Sequence, residues 1–204
     1  MATINESSSK IVRELYTVEG LGSREIAERL GVGIDAVYYC LRRLGVKRRT
    51  ATETNSMRFE RQALSYAIPK TLTNEQERLV LLATSLYWAE GAKRGHVVDF
   101  ANSDVQMCKI FIRFLREICQ VDETRLRGFI YCHNNQNPAQ LVAFWSKTLE
   151  VPKSQFTKPY VRSAKASKTP HRMEHGLMHI RYSDKKLLRQ IQAWIDEYSK
   201  DLGR

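Results

Sequence analysis

Glu90 precedes Gly91 at the end of an apolar run, and Lys93 and Arg94 follow within four residues. The run Leu79-Val-Leu-Leu-Ala-Thr-Ser-Leu-Tyr-Trp-Ala reads as a helix, started upstream by Thr73 and Gln76 in a capping-box pattern. Gly91 is expected to stop that helix by taking the left-handed conformation open to glycine. A carboxylate at a helix C-terminus is opposed by the helix dipole. Glu90 therefore calls for a compensating cation, which is either a metal ion or a basic side chain such as Lys93 or Arg94. Within the helix, Ala83, Thr84, Ser85 and Ala89 are small and leave one side thin, suited to close packing against a second helix.

The segment Ala83-Thr-Ser-Leu-Tyr-Trp-Ala-Glu-Gly91 resembles the LAGLIDADG motif of homing endonucleases and their relatives. The acid–glycine pair, the leucine at the fourth position and the small packing residues agree with it. Tyr87-Trp88 stand where the motif has Ile-Asp, and Ala83 stands where it has its first leucine. Leu86-Tyr-Trp-Ala-Glu-Gly-Ala-Lys93, followed by Phe100-Ala-Asn-Ser-Asp104, is also similar to a group of bacterial proteins fronted by a helix-turn-helix. The LAGLIDADG resemblance implies paired motif helices whose terminal acids hold a divalent ion at the DNA backbone. Glu90 is then the ligand for Mg²⁺, with a second Glu90 opposite it. The ion lowers the pKa of an attacking water and stabilises the leaving oxygen. Lys93 and Arg94 are the candidates to offset transition-state charge. Only one such motif occurs in the chain, so the resemblance implies a homodimer through Ala83, Ser85 and Ala89.

Composition points to the same class of partner. The 204 residues carry a net charge of +11 with 43% hydrophobic content. That is enough apolar material for a core, and the basic excess favours a polyanion, nucleic acid first and an acidic membrane surface second. No run is long enough to span a bilayer, and residues 1–9 lack the shape of a signal peptide. A cytoplasmic location is expected. Cys40, Cys108, Cys119 and Cys132 are scattered, without Cys-x-x-Cys spacing, and read as reduced cysteines. His171, His175 and His179 recur every four residues, but Gly176 interrupts them, which argues against a zinc-binding helix face.

The elements that must position Glu90 divide into an α+β arrangement. Residues 1–46 read as a helix-turn-helix DNA-binding domain. Its first helix is expected over 10–18 with Ile11, Leu15 and Val18 inward. Ser23 is expected to cap a second helix over 24–30, and a third runs over 34–44. Glu25-Ile-Ala-Glu-Arg-Leu-Gly-Val32, with Val37 and Leu41, resembles resolvase- and sigma-factor-type helix-turn-helix domains. In that arrangement the third helix enters the major groove, presenting Asp35, Tyr38, Tyr39, Arg42 and Arg43. The two arginines fall late in the helix, so phosphate contact is expected of them rather than base readout. Lys47 and Arg48 open a basic linker over 47–70.

Residues 71–204 read as a LAGLIDADG-like domain with an antiparallel sheet backed by helices. Strands are expected over 96–101, 125–133, 155–162 and 176–182. Helices follow Ser103 as a cap, follow Asn137-Pro138, and close the chain over 184–198. Alternation places Arg125, Arg127 and Tyr131 on one face, Lys158 and Arg162 together, and His179 and Arg181 together. A basic, partly aromatic sheet face of this kind suits nucleic acid, with the loop 165–172 positioned to close on phosphates. Two function classes follow. One is a sequence-specific, Mg²⁺-dependent double-stranded DNA endonuclease. The other is a transcriptional regulator that binds duplex DNA without cutting it. RNA binding has less support, because the recognition-helix pattern is one built for duplex DNA.

Overall fold

The computed structural model describes residues 6–163 and 173–203. The chain divides into two compact units, Met1–Ala63 and Leu64–Arg204. The division falls inside the stretch read from composition as linker, because residues on either side of it have partners.

The first unit contains α1 (Glu6–Thr17), α2 (Ser23–Leu30), α3 (Ile34–Arg43) and α4 (Ala51–Arg61). Val12, Leu15, Tyr16, Ile26, Ala27, Val37, Cys40 and Leu41 form its core. Gly31 takes φ 65° at the end of α2, and the Val32 N–H donates to the Ala27 carbonyl at 3.0 Å. This satisfies the last carbonyls of α2 and turns the chain into α3. The inner face of α1 differs from the expected one: Ile11 and Val18 are exposed, and Val12 and Tyr16 join Leu15 in the core. Either stripe has helical spacing, and the one carrying the large Tyr16 ring is buried. The cap of α2 is Gly22, whose N–H donates to the Glu25 carboxylate at 2.6 Å. Ser23 is the first helical residue instead. Thr50 and Glu53 start α4 by a reciprocal capping box. No residue of α4 is buried, and Arg61 ties it to Glu25 of α2 at 2.9 Å.

The second unit starts at Leu64, earlier than residue 71. The Ser65 carbonyl accepts from the Tyr182 hydroxyl at 2.5 Å, and the Ala67 N–H donates to the Cys119 carbonyl at 3.0 Å. Along the chain follow α5 (Asn74–Glu90), β1 (Val98–Asn102), α6 (Val105–Glu117), β2 (Leu126–His133), α7 (Pro138–Leu149), β3 (Tyr160–Arg162), β4 (Leu177–Tyr182) and α8 (Lys185–Leu202). Thr73 with Gln76, and Asn137 before Pro138, cap their helices as the sequence predicts. The cap of α6 is Asp104 rather than Ser103; its carboxylate accepts the N–H groups of Gln106 and Met107. The four strands lie in the order β1-β4-β2-β3. The β1–β4 and β4–β2 pairs are antiparallel, whereas β2 and β3 run parallel. The sheet is thus mixed, correcting the expectation of an antiparallel one. Alternation identifies the faces of a strand but not the direction of its neighbour.

One sheet face is apolar. Val98, Phe100, Leu126, Ile130, Met178, Ile180 and Tyr182 share a core with Tyr87 of α5, Phe111 and Phe114 of α6, and Trp145 of α7. All four cysteines are buried and free. Burial raises the Cys108 thiol to about 12, so it is neutral at physiological pH.

Gly91 ends α5 by a different device from the one expected. Its φ and ψ are −83° and 154°, an extended conformation open to any residue. What requires glycine is close approach: a Cβ there would lie 2.5 Å from the Tyr87 ring. Gly91→Ala is therefore expected to cost about 1–3 kcal/mol of stability through overpacking, read by chemical denaturation. Unchanged stability would show that the ring has room to move.

Candidate nucleic-acid interface

Three surfaces carry the residues singled out above. The first is the outer side of α3. Asp35, Tyr39 and Arg42 are exposed there, and the Arg42 guanidinium lies 5.6 Å from the Tyr39 ring centre. Tyr38 is half-buried beneath Arg48, whose guanidinium sits 3.7 Å over its ring. Lys47 is exposed. Arg43 differs from Arg42: it donates to the Ser9 hydroxyl of α1 at 2.7 Å, so part of its hydrogen bonding is spent inside the unit.

Arg49, not singled out by the sequence, is the structural arginine of this region. Its guanidinium donates to the carbonyls of Tyr16 at 3.0 Å and Leu21 at 2.6 Å, and lies 4.0 Å over the Tyr16 ring. Its backbone N–H donates to the Tyr16 hydroxyl at 2.6 Å. These bonds hold the chain after α3 against the end of α1, and so fix where Lys47 and Arg48 emerge. Three consecutive basic residues give no sign in sequence of which one turns inward.

The second surface is the tip of α5. The Glu90 side chain is exposed and makes no hydrogen bond or ion pair with another described residue. Lys93 and Arg94 are exposed beside it, with the Lys93 ammonium 3.4 Å from the Ala89 carbonyl. A buried Glu90–Lys93 or Glu90–Arg94 pair is thus not what holds this end. Tyr87 does so: its buried hydroxyl donates to the Ala92 carbonyl at 2.7 Å and accepts the Asp99 N–H at 3.4 Å. Burial pushes that phenol up to about 12. Gly91 bridges Phe100, and the Ala92 N–H donates to the Asp99 carbonyl at 2.9 Å. The chain leaving Glu90 is consequently zipped to β1.

The side of α5 expected to pair with a second helix is partly redirected. Ala83 is fully buried in the unit's own core, as is Thr84. Ser85 and Ala89 are exposed, among Leu81, Leu82 and Trp88, which is 56% exposed. Residues 83 and 89 point to different sides of a 3.6-residue helix, and the core claims the alanine. A cavity of about 270 Å³ lies between α5 and α8, lined by Leu81, Ser85, Trp88, Ile195 and Tyr198 among others.

The third surface is the sheet face opposite the core. Arg127, Phe129, Tyr131 and His133 project from β2, His179 and Arg181 from β4, and Tyr160 and Arg162 from β3. Asp99 of β1, overlooked in sequence, pairs with His179 Nδ1 at 2.9 Å and Arg181 Nε at 2.8 Å. Burial acts to raise the Asp99 carboxyl, but His179 and Arg181 outweigh it and hold it below its ordinary value. Two expected members do not belong to the face. Arg125 lies in a 3-10 turn, over the Tyr182 ring, and donates to the Ser183 carbonyl at the start of α8. Lys158 is exposed but precedes Pro159 and the three-residue β3, which is shorter than the strand expected over 155–162. The loop 165–172 lies outside the described residues, as does His171; His175 stacks on Phe144 at 3.7 Å.

Among the described residues, no three His, Cys, Asp or Glu side chains lie together in a metal-binding group. At the tip of α5 the described residues of one chain offer Glu90, a hard oxygen donor of the kind Mg²⁺ takes, but not a full protein ligand set. No helix of the described residues is long and apolar enough to cross a membrane. No protein-family model matches the chain, and neither does any curated protein or solved structure.

The contacts of Asp99 make stability depend on pH. Because the folded carboxyl lies below its ordinary value of 3.8, its stabilisation is complete above about pH 4 and fades as pH falls further. Asp99→Asn is expected to be less stable than wild type at neutral pH and to converge with it in acid, in melts recorded from pH 7 to pH 3. A constant gap across that range would contradict the assignment.

Proposed function

We propose that this chain binds double-stranded DNA, with α3 as the element that enters the major groove. The observation that carries the reading is the exposed outer face of α3, where Tyr39 and Arg42 stand clear while Val37, Cys40 and Leu41 anchor the opposite side. A helix so anchored, reached through the tight Gly31 turn and followed by Lys47 and Arg48, has the geometry for groove entry with basic contacts at its end. The charge of +11 supplies the long-range attraction to a polyanion.

A second reading, DNA cleavage, is favoured by the state of Glu90. It is exposed and has no described basic partner, so its charge is available at the tip of α5. A homodimer through the outer face of α5, with Trp88, Ser85 and Ala89 in the contact, would provide two such carboxylates for one duplex. Glu90 of each subunit, with DNA phosphate oxygens, would hold Mg²⁺; the ion would supply an activated water. Lys93 and Arg94 would face the charge that develops on the phosphate. Without cutting, the same assembly is a DNA-binding regulator.

Both readings are tested on the full chain. Arg42→Ala is expected to weaken duplex binding and to lower the slope of log affinity against log salt by about one, as for one lost phosphate contact. An unchanged slope would remove Arg42 from the interface. Glu90→Gln is expected to abolish nicking of a bound duplex in Mg²⁺ or Mn²⁺ while affinity holds or rises, since a carboxylate near phosphate repels it. If wild type leaves every bound duplex intact, cleavage is excluded and the regulator remains.

A further inference from the structure

We propose that the open sheet face of the second unit is a stacking platform for unpaired bases of single-stranded DNA. Phe129 and Tyr131 stand two residues apart on β2, and Tyr160 of β3 lies beside Tyr131 with ring centres 5.1 Å apart. None of the three is buried, and Tyr160 is 54% exposed. Phe129 and Tyr131 face away from the hydrophobic core that the other side of β2 joins through Leu126, Ile130 and Cys132. Phe129 and Tyr131 are half-buried and Tyr160 is exposed, so the cross-strand contacts leave part of each ring uncovered.

The cations of the face are interleaved with the rings. Arg181 lies 4.5 Å over the Phe129 ring, and the Arg162 guanidinium is 3.4 Å from the Tyr131 hydroxyl. Arg127 stands opposite Arg181 across the strand pair. Asp99 is the one carboxylate among the described residues of the face; Arg181 pairs with its charge at 2.8 Å, and His179 Nδ1 lies 2.9 Å from it. The surface therefore offers π faces together with positive charge, the two features that hold a strand through its bases and its backbone.

The spacing decides against a duplex on these rings. Side chains on one face of a strand recur at roughly 7 Å, whereas bases in a duplex are stacked on one another about 3.4 Å apart. A duplex presents groove edges and phosphates to the rings and leaves no base face free. An unpaired strand has free base faces and can adopt the spacing of the platform. The choice of DNA over RNA rests on the duplex-DNA reading of the first unit; the platform chemistry itself does not.

The test is fluorescence anisotropy on the full chain, with oligothymidine, oligouridine of equal length and a blunt duplex. Wild type, Tyr160→Ala, Tyr160→Phe and Arg42→Ala are compared. Because Tyr160 is exposed on a short edge strand, its replacement leaves the core intact, and a thermal melt verifies this. Tyr160→Ala is expected to weaken oligothymidine binding at least about fivefold, Tyr160→Phe to restore it, and duplex affinity to be unchanged by either. Arg42→Ala should show the reverse pattern. Oligothymidine binding that is absent in wild type, or equal in Tyr160→Ala, overturns the platform. Tighter binding of oligouridine through the same tyrosine overturns the assignment to DNA. Absence of duplex binding in wild type, or duplex affinity unchanged in Arg42→Ala, with the Tyr160 effect intact, refutes the reading of the first unit and leaves the platform standing.

Discussion

The buried hydroxyl of Tyr87 is the contact on which the second unit's candidate site depends. It bridges the Ala92 carbonyl and the Asp99 N–H, so the end of α5 and the first strand of the sheet are joined through one oxygen. Gly91 lies flat on the same ring because it has no Cβ to strike it. Phe111 stacks on the ring from α6 at 5.5 Å and on Phe100 of β1 at 4.4 Å. Buried hydroxyls are costly to leave without partners, and this one has both a donor and an acceptor. The result is a fixed exit for the chain at Glu90, with the carboxylate in solvent and the following residues paired to β1.

The first unit solves the same problem with a cation. Arg49 gives its donors to carbonyls around the end of α1 and lays its plane on Tyr16. Arginine suits that task because its planar fork reaches several acceptors at once and also stacks. With Arg49 turned inward and Arg43 bonded to Ser9, the outward charge is left to Arg42, Lys47 and Arg48. The basic run thus divides between residues that hold the unit together and residues that face solvent.

Much of the scaffold was legible in the sequence. The Thr73–Gln76 and Asn137-Pro138 starts, the Gly31 turn and the alternation along Leu126–His133 each express a local rule, and each is found. Sequence and structure differ where a local pattern admits two tertiary outcomes. Gly22 and Asp104 cap their helices one residue before and one residue after the serines expected to do so, because a cap is chosen by the backbone angle on entry. Ala83, Ser85 and Ala89 are alike in size, but the core takes Ala83 and leaves the other two outside. Parallel pairing of β2 with β3 depends on where α7 returns the chain, and strand periodicity carries no record of it. Asp99 carries no signal in the local sequence, because its partners His179 and Arg181 lie 80 and 82 residues away.

In the proposed reading a duplex meets the outer face of α3, and unpaired bases meet the sheet. Hydrogen–deuterium exchange of the full chain, alone and with each DNA, tests this most directly. Addition of duplex should slow exchange within Ile34–Arg43 and residues 47–49, and addition of oligothymidine should slow it within Leu126–His133 and Tyr160–Arg162. Protection of the sheet by duplex with none in α3, or of neither surface by either DNA, would contradict the account.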